Sequence, residues 1–168
     1  MDETILDFDR VYAEHYPNAY RVALGILLDA GLAEDVTQDA FTKAYKKRDS
    51  FRPTGSVGAW IHTIVAREAI SRLRWRRLQQ RLLDTLGQFH QDEIDFDARD
   101  TVLRLLGLLS PKTRAAVVLH HVHGYRYREI AVILGIPEGT VATRISNGLK
   151  QMRAVMVAAT EEREPAIR

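Results

Sequence analysis

The run EGTVATRISNGLKQMR, Glu138 to Arg153, carries residue types that can read the edges of base pairs. At helical spacing, Val141, Ile145, Leu149 and Met152 gather on one side. The opposite side then shows Thr140, Thr143, Arg144, Asn147 and Lys150. An arginine fork matches guanine O6 and N7, and an asparagine amide pairs with adenine. Threonine and lysine more often hold phosphate. Arg126 and Arg128, at the start of the preceding helical stretch, are placed to clamp the backbone. A second set lies earlier, where Trp60, His62 and Arg67 follow a loop of Gly, Pro and Ser. Trp60, Thr63, Arg67, Ser71 and Arg74 recur at steps of three and four, so a helix presents them together. Aromatic faces stack unpaired bases, worth about 1–3 kcal/mol each, and arginines line a path for a single strand. The alternative is that Trp60 packs in a core. The block RLRWRRLQQR, Arg72 to Arg81, can neutralise duplex phosphates with salt-sensitive affinity, or serve as a solvated helix end. Trp75 amid Arg74, Arg76 and Arg77 favours the former.

These side chains need helices to position them. Ile130, Leu134 and Ile136 continue the apolar pattern, and Ala131 is small where two helices cross. Gly135 suits a left-handed helix end, and Pro137 pre-sets the start of the next helix. This is the grammar of a helix-turn-helix, whose second helix enters the major groove. Upstream, Ser110-Pro111 reads as a cap and first-position pair after a Leu-rich helix ending at Leu109. In the first half, one apolar stripe (Ile5, Phe8, Val11, Tyr12) ends before Pro17 and a second (Tyr20 to Leu28) ends at Gly31. A third helix begins near Ala33 and turns Val36, Ala40, Phe41, Ala44 and Tyr45 inward. A long helix runs from about Val57 to Arg81, with Val57, Ile61, Ile64, Val65, Ala69 and Leu73 facing a core.

The chain has 168 residues, a net charge of +2 and no cysteine, which excludes disulfides and thiolate zinc sites. No secretory pattern opens it, and no apolar run approaches the roughly 20 residues of a membrane span. The expectation is an all-α, cytoplasmic protein without membrane insertion. Its expected layout is a helical domain over 1–81, a flexible acidic linker over 82–99, a helix-turn-helix domain over 100–158 and a disordered tail over 159–168. The linker either keeps nucleic acid out of a channel or is a solvated tether; Leu82, Leu83, Leu86 and Phe89 can also make a short helix. The tract His120-His121-Val122-His123 has no carboxylate or thiolate at ligand spacing, so surface or partner-facing histidines are expected in place of a metal site. No nucleophile, phosphate loop or paired-carboxylate pattern is present, so no catalytic residue and no cofactor is assigned, and the chain reads as a non-enzyme.

The segment AEDVTQDAFTKAYKKRDSFRPTGSVGAWIHTIVAREAISRLR resembles the second domain of extracytoplasmic-function sigma factors of the sigma-70 family. LLSPKTRAAVVLHHVHGYRYREIAVILGIPEGTVATRI resembles their fourth domain. The resemblance covers roughly residues 5–78 and 100–155. It implies that Asp35, Gln38, Asp39 and Phe41 dock on core RNA polymerase. It implies that the loop from Phe51 and Arg52 to Gly58, with Trp60, His62, Thr63, Arg67, Arg72, Arg74, Arg76 and Arg77, handles the −10 promoter element and its single non-template strand. Arg126, Arg128, Thr140, Thr143, Arg144, Asn147 and Lys150 would serve the duplex −35 element. An anti-sigma partner and a stress or envelope-response regulon are further implications.

The chain also departs from the family's pattern. Arg67 and Ser71 stand where Asn-then-Asp-type residues are common, and Arg126 replaces a Ser/Thr helix cap worth about 1 kcal/mol. Ala142 replaces a basic residue, Ile145-Ser146-Asn147-Gly148 replaces a basic stretch, and Gly148 costs about 1 kcal/mol in a helix. The −35 surface is therefore expected to be weaker or differently specific. Two other readings remain open: a conventional helix-turn-helix regulator, and a sigma-like decoy that sequesters an anti-sigma protein.

Overall fold

The computed structural model describes residues 7–51, 55–85 and 101–161, all helix or connecting turn and without a strand. Helix α1 (Phe8–Leu27) starts where the Asp7 carboxylate accepts from the Arg10 amide at 3.3 Å. It is one helix, with Pro17 inside it, in place of the two expected segments. Proline removes one backbone donor, but the buried run Val11, Ala19, Val22, Ala23 and Ile26 continues along the same face. The helix ends at Leu28, which takes a left-handed φ of 60° so that its amide reaches the Leu24 carbonyl. That conformation costs a non-glycine residue about 1–2 kcal/mol, offset by burying the Leu28 side chain against Leu106, Leu109, Val117 and Val118.

Helix α2 (Ala30–Lys46) begins earlier than Ala33 because Asp29 caps it, accepting from the Leu32 amide at 2.9 Å. Gly31 lies within its first turn and does not break it. Val36, Ala40, Phe41 and Ala44 are buried as expected, whereas Tyr45 is 51% exposed and touches the ring of Phe8 at the rim. A single 3-10 turn (Arg48–Ser50) leads toward α3 (Val57–Thr85), whose Ile61, Val65 and Ala69 are fully buried. α3 runs past residue 81, so 82–85 are helix and not linker; linker residues 86–99 lie outside the described residues.

Helices α4 (Thr101–Gly107), α5 (Pro111–His121), α6 (Tyr127–Leu134) and α7 (Glu138–Glu161) form the second group. Ser110 caps α5 and Pro111 opens it, as the sequence predicts. Gly135 ends α6 at φ 64°, its amide reaching the carbonyls of Ala131 and Val132. Arg126 offers no cap, but the Glu129 carboxylate accepts from the Arg126 amide at 2.7 Å, which meets one orphan donor. α7 continues to Glu161, so 159–161 are helical in place of a disordered tail; residues 162–168 lie outside the described residues.

The two groups share one core. Ala115, Ala116, Leu119, Ile130 and Ile133 belong to the same buried cluster as Val22, Ile26, Ile61 and Val65. Two glycines make the closest approaches possible. A Cβ on Gly25 of α1 would lie 2.9 Å from Val118 Cγ1 of α5, and one on Gly148 of α7 would lie 2.9 Å from Thr113 Cγ2 and 3.1 Å from Val117 Cγ2. Gly148 is thus a packing position, which outweighs its propensity cost. Gly148→Leu, although leucine is the better helix former, should lower stability by about 1–3 kcal/mol through overpacking. Urea unfolding measures this, and a raised midpoint would contradict the close-approach role.

Candidate nucleic-acid interface

Helix α7 presents the face that its periodicity predicts. Val141 and Ile145 are buried, and Leu149 and Met152 are partly buried. Thr143, Asn147 and Lys150 are exposed on the other side, with Thr140 and Arg144 half-buried. The Thr143 hydroxyl donates to the Gly139 carbonyl at 2.9 Å, which leaves its oxygen free to accept. Arg126 and Arg128 are exposed at the N-terminal end of α6. The outer face of α7 and the start of α6 thus each present polar and cationic side chains.

The earlier set is arranged differently. Phe51 and Trp60 pair with ring centroids 5.2 Å apart and planes at 49°. Both line a cleft of about 740 Å³ with Ser50, Ser56, Thr63 and Arg67. Trp60 also packs, partly buried, against the core, as the alternative reading expected. The opposite wall is Arg128, Glu129, Val132 and Ile133 of the helix-turn-helix. Arg67 crosses this cleft: its Nε donates to the Ile133 carbonyl at 3.2 Å and its Nη2 to the Val132 carbonyl at 3.3 Å. These carbonyls lie in the last turn of α6, where no intrahelical donor remains for most of them. Arg52 lies outside the described residues.

His62 departs from expectation. It is 5% exposed, with Nδ1 2.8 Å from the Tyr125 hydroxyl, so it is an interior group and not a DNA contact in this arrangement. Burial, reinforced by His123 and His15, pulls its pKa down to about 4. His120 is not free either: its Nδ1 lies 2.8 Å from the Tyr125 carbonyl and its ring meets Tyr127 edge-on. No cluster of three or more metal-ligating side chains occurs among the described residues.

The arginine block is partly engaged within its own bundle. Arg72 pairs with Asp39 at 3.2 Å and Arg76 with Asp29 at 3.7 Å, while Arg74 and Arg77 are exposed. Asp35, Gln38 and Asp39 are exposed on α2 and can meet a partner. Phe41 cannot, because it is 2% exposed and its ring packs on Phe8, Tyr12 and Tyr16. Its place in the motif is structural: it anchors the helix that displays the acidic residues.

Arg114 is the residue that the sequence reading missed. It is 5% exposed and donates to the carbonyls of Ile26 at 2.7 Å, Leu109 at 3.0 Å and Gly107 at 3.4 Å. Burial, with Arg77 adding repulsion, lowers its pKa to about 10. A signal existed: a lone arginine interrupts the apolar run PKTRAAVVL, with no acidic residue in that run to pair with it.

Residues 11–79 match the family described as "Sigma-70 region 2", and residues 99–152 match "Sigma-70, region 4". Among curated relatives, the "ECF RNA polymerase sigma factor SigE" of Mycolicibacterium smegmatis is 29% identical, covering 92% of this chain; the chain spans only 63% of that relative's length. The "ECF RNA polymerase sigma factor SigW" of Bacillus subtilis is 29% identical over 80% of each chain. Among solved structures, the sigma factor RpoE crystallised with the anti-sigma factor NepR, from Bartonella quintana, superimposes with a TM-score of 0.74 at 27% identity, covering 89% of this chain and 96% of that one.

Replacing Arg114 by Met keeps most of the volume and removes every donor. It should cost about 2–4 kcal/mol, because three carbonyls lose a charged partner. Chemical denaturation with an unchanged slope and a lowered midpoint is the expected result, and an unmoved midpoint would contradict the bridging role.

Proposed function

The chain belongs to the sigma-70 family, and we propose that it is a dissociable RNA polymerase subunit that selects promoters and nucleates strand opening. The observation that supports this most directly is the pairing of two different nucleic-acid surfaces in one small helical chain. One is a base-reading helix face of Thr143, Arg144, Asn147 and Lys150. The other is an aromatic and arginine cleft of Phe51, Trp60 and Arg67. Duplex reading needs only the first. A splayed single strand needs the second.

On this proposal α7 docks in the major groove at the −35 element. Phe51, Trp60 and Arg67 then receive the unpaired strand at the −10 element, with Arg74 and Arg77 on duplex phosphates. Asp35, Gln38 and Asp39 on α2 engage the polymerase, which alone forms phosphodiester bonds, so the chain itself needs no catalytic group. It works in the cytoplasm with the polymerase; no described helix is long and apolar enough to cross a membrane. The likeness to a sigma factor crystallised with an anti-sigma factor supports a masking partner for this chain as well.

Run-off transcription with purified core polymerase on fragmented genomic DNA tests the proposal, with transcripts expected only when the chain is added. Arg144→Ala with Asn147→Ala should reduce −35-dependent initiation by about tenfold or more, since each bidentate base contact is worth about 1–3 kcal/mol. Equal initiation from intact and scrambled −35 templates would refute that role. Asp35→Lys with Asp39→Lys should weaken capture by core polymerase with helical content unchanged; undiminished capture would refute the docking assignment. Tight operator binding by the free chain, with no response from polymerase, would favour a conventional regulator.

A further inference from the structure

His62, on α3, is packed beneath the turn that joins α5 to α6. Its Nδ1 meets the Tyr125 hydroxyl at 2.8 Å, and its ring lies edge-on to His123 and Tyr125, with centroids 5.3 and 5.7 Å away. Two modules therefore meet through three titratable side chains. The remaining ring nitrogens, His62 Nε2 and His123 Nε2, are both buried without a hydrogen-bond partner. Such atoms are tolerable on a neutral imidazole. A proton on either would place a charged donor in the interior with no acceptor, a strongly unfavourable state.

The surroundings offer such a charge no relief. From α1, His15 acts on His62, and Arg21 acts on His123. From the turn come His123 and Tyr125. Glu129 of α6 acts on Tyr125, and Glu14 stands 4.0 Å from His15. The charged groups acting directly on His62 are histidines alone.

We propose that His62, His123 and Tyr125 form a proton-operated latch that holds the two modules shut near neutral pH and releases them as the solution acidifies. Closed, the His62 ring sits at a pKa of about 4, through burial first and then through His123 and His15. Parted, it is hydrated and returns to about 6.5. The closed form thus binds fewer protons. Its advantage is complete above about pH 6.5 and falls by about tenfold per pH unit from there toward 4. His123, also lowered by burial and by Arg21, works in the same direction. Parting frees Arg67 from the α6 carbonyls and uncovers the Phe51–Trp60 cleft. The latch rests on the closed packing alone, so it can fail while the promoter reading stands, and the reverse.

The chain has no cysteine, so Lys46→Cys and Ala154→Cys can carry a donor and an acceptor dye at two exposed positions, one per module. Energy transfer should fall between pH 7.5 and 5.0 while far-ultraviolet circular dichroism stays constant. His62→Gln retains a partner for Tyr125 without a titrating ring, and its transfer should fall far less across this range, His123 alone remaining to respond. Where that variant does not fold, Tyr125→Phe should move the transition upward by roughly half to one pH unit. Flat transfer in the labelled parent, an undiminished pH response in His62→Gln, an unmoved transition in Tyr125→Phe, or loss of helix in step with transfer would each overturn the latch.

Discussion

Helix C-termini leave carbonyl groups without donors, and in this chain two buried crossings depend on arginines that reach them from the other module. Arg67 of α3 serves the end of α6. Arg114 of α5 serves the end of α1. The exchange is reciprocal, so each half of the molecule completes a helix of the other. It also explains the backbone economy at the contact. α1 and α5 can approach closely only because Gly25 has no side chain to hold them apart. The carbonyl of Ile26 then comes within reach of a guanidinium that must stay buried. The shared core, the half-closed cleft and the sequestered histidines all follow from this pair of crossings.

Much of this architecture was legible in the sequence, because periodicity, caps and breakers act locally. The α5 start at Ser110-Pro111 and the α6 end at Gly135 are one-residue signals with one physical meaning. The buried faces of α3 and α7 follow from spacing alone. Pro17 was misread because a proline announces only a missing donor, and whether the helix continues is decided by the apolar face on either side. Gly31 was misread because the Asp29 cap, two residues earlier, starts the helix before the glycine is reached.

The candidate site was half legible. Side-chain chemistry nominated Trp60, Arg67, Arg144 and Asn147, and the structure places the first two on α3 in a cleft walled by α6 and the last two on the outer side of α7. It did not distinguish Phe41, a core anchor, from the acidic residues beside it, because a motif conveys position without burial. Nor did it place His62 opposite Tyr125, a pair separated by 63 residues. Arg114 escaped for the same reason: its acceptors are backbone carbonyls, including one 88 residues away, and backbone acceptors carry no residue type. Contacts between modules are invisible to local pattern.

The choice of acceptor at Arg67 has a thermodynamic corollary. Carbonyl oxygens are uncharged, so seating the guanidinium on α6 displaces almost no condensed ions, whereas seating it on a phosphate chain releases them. On the proposed function, added electrolyte therefore weakens the nucleic-acid complex and leaves the packing of Arg67 on α6 nearly untouched.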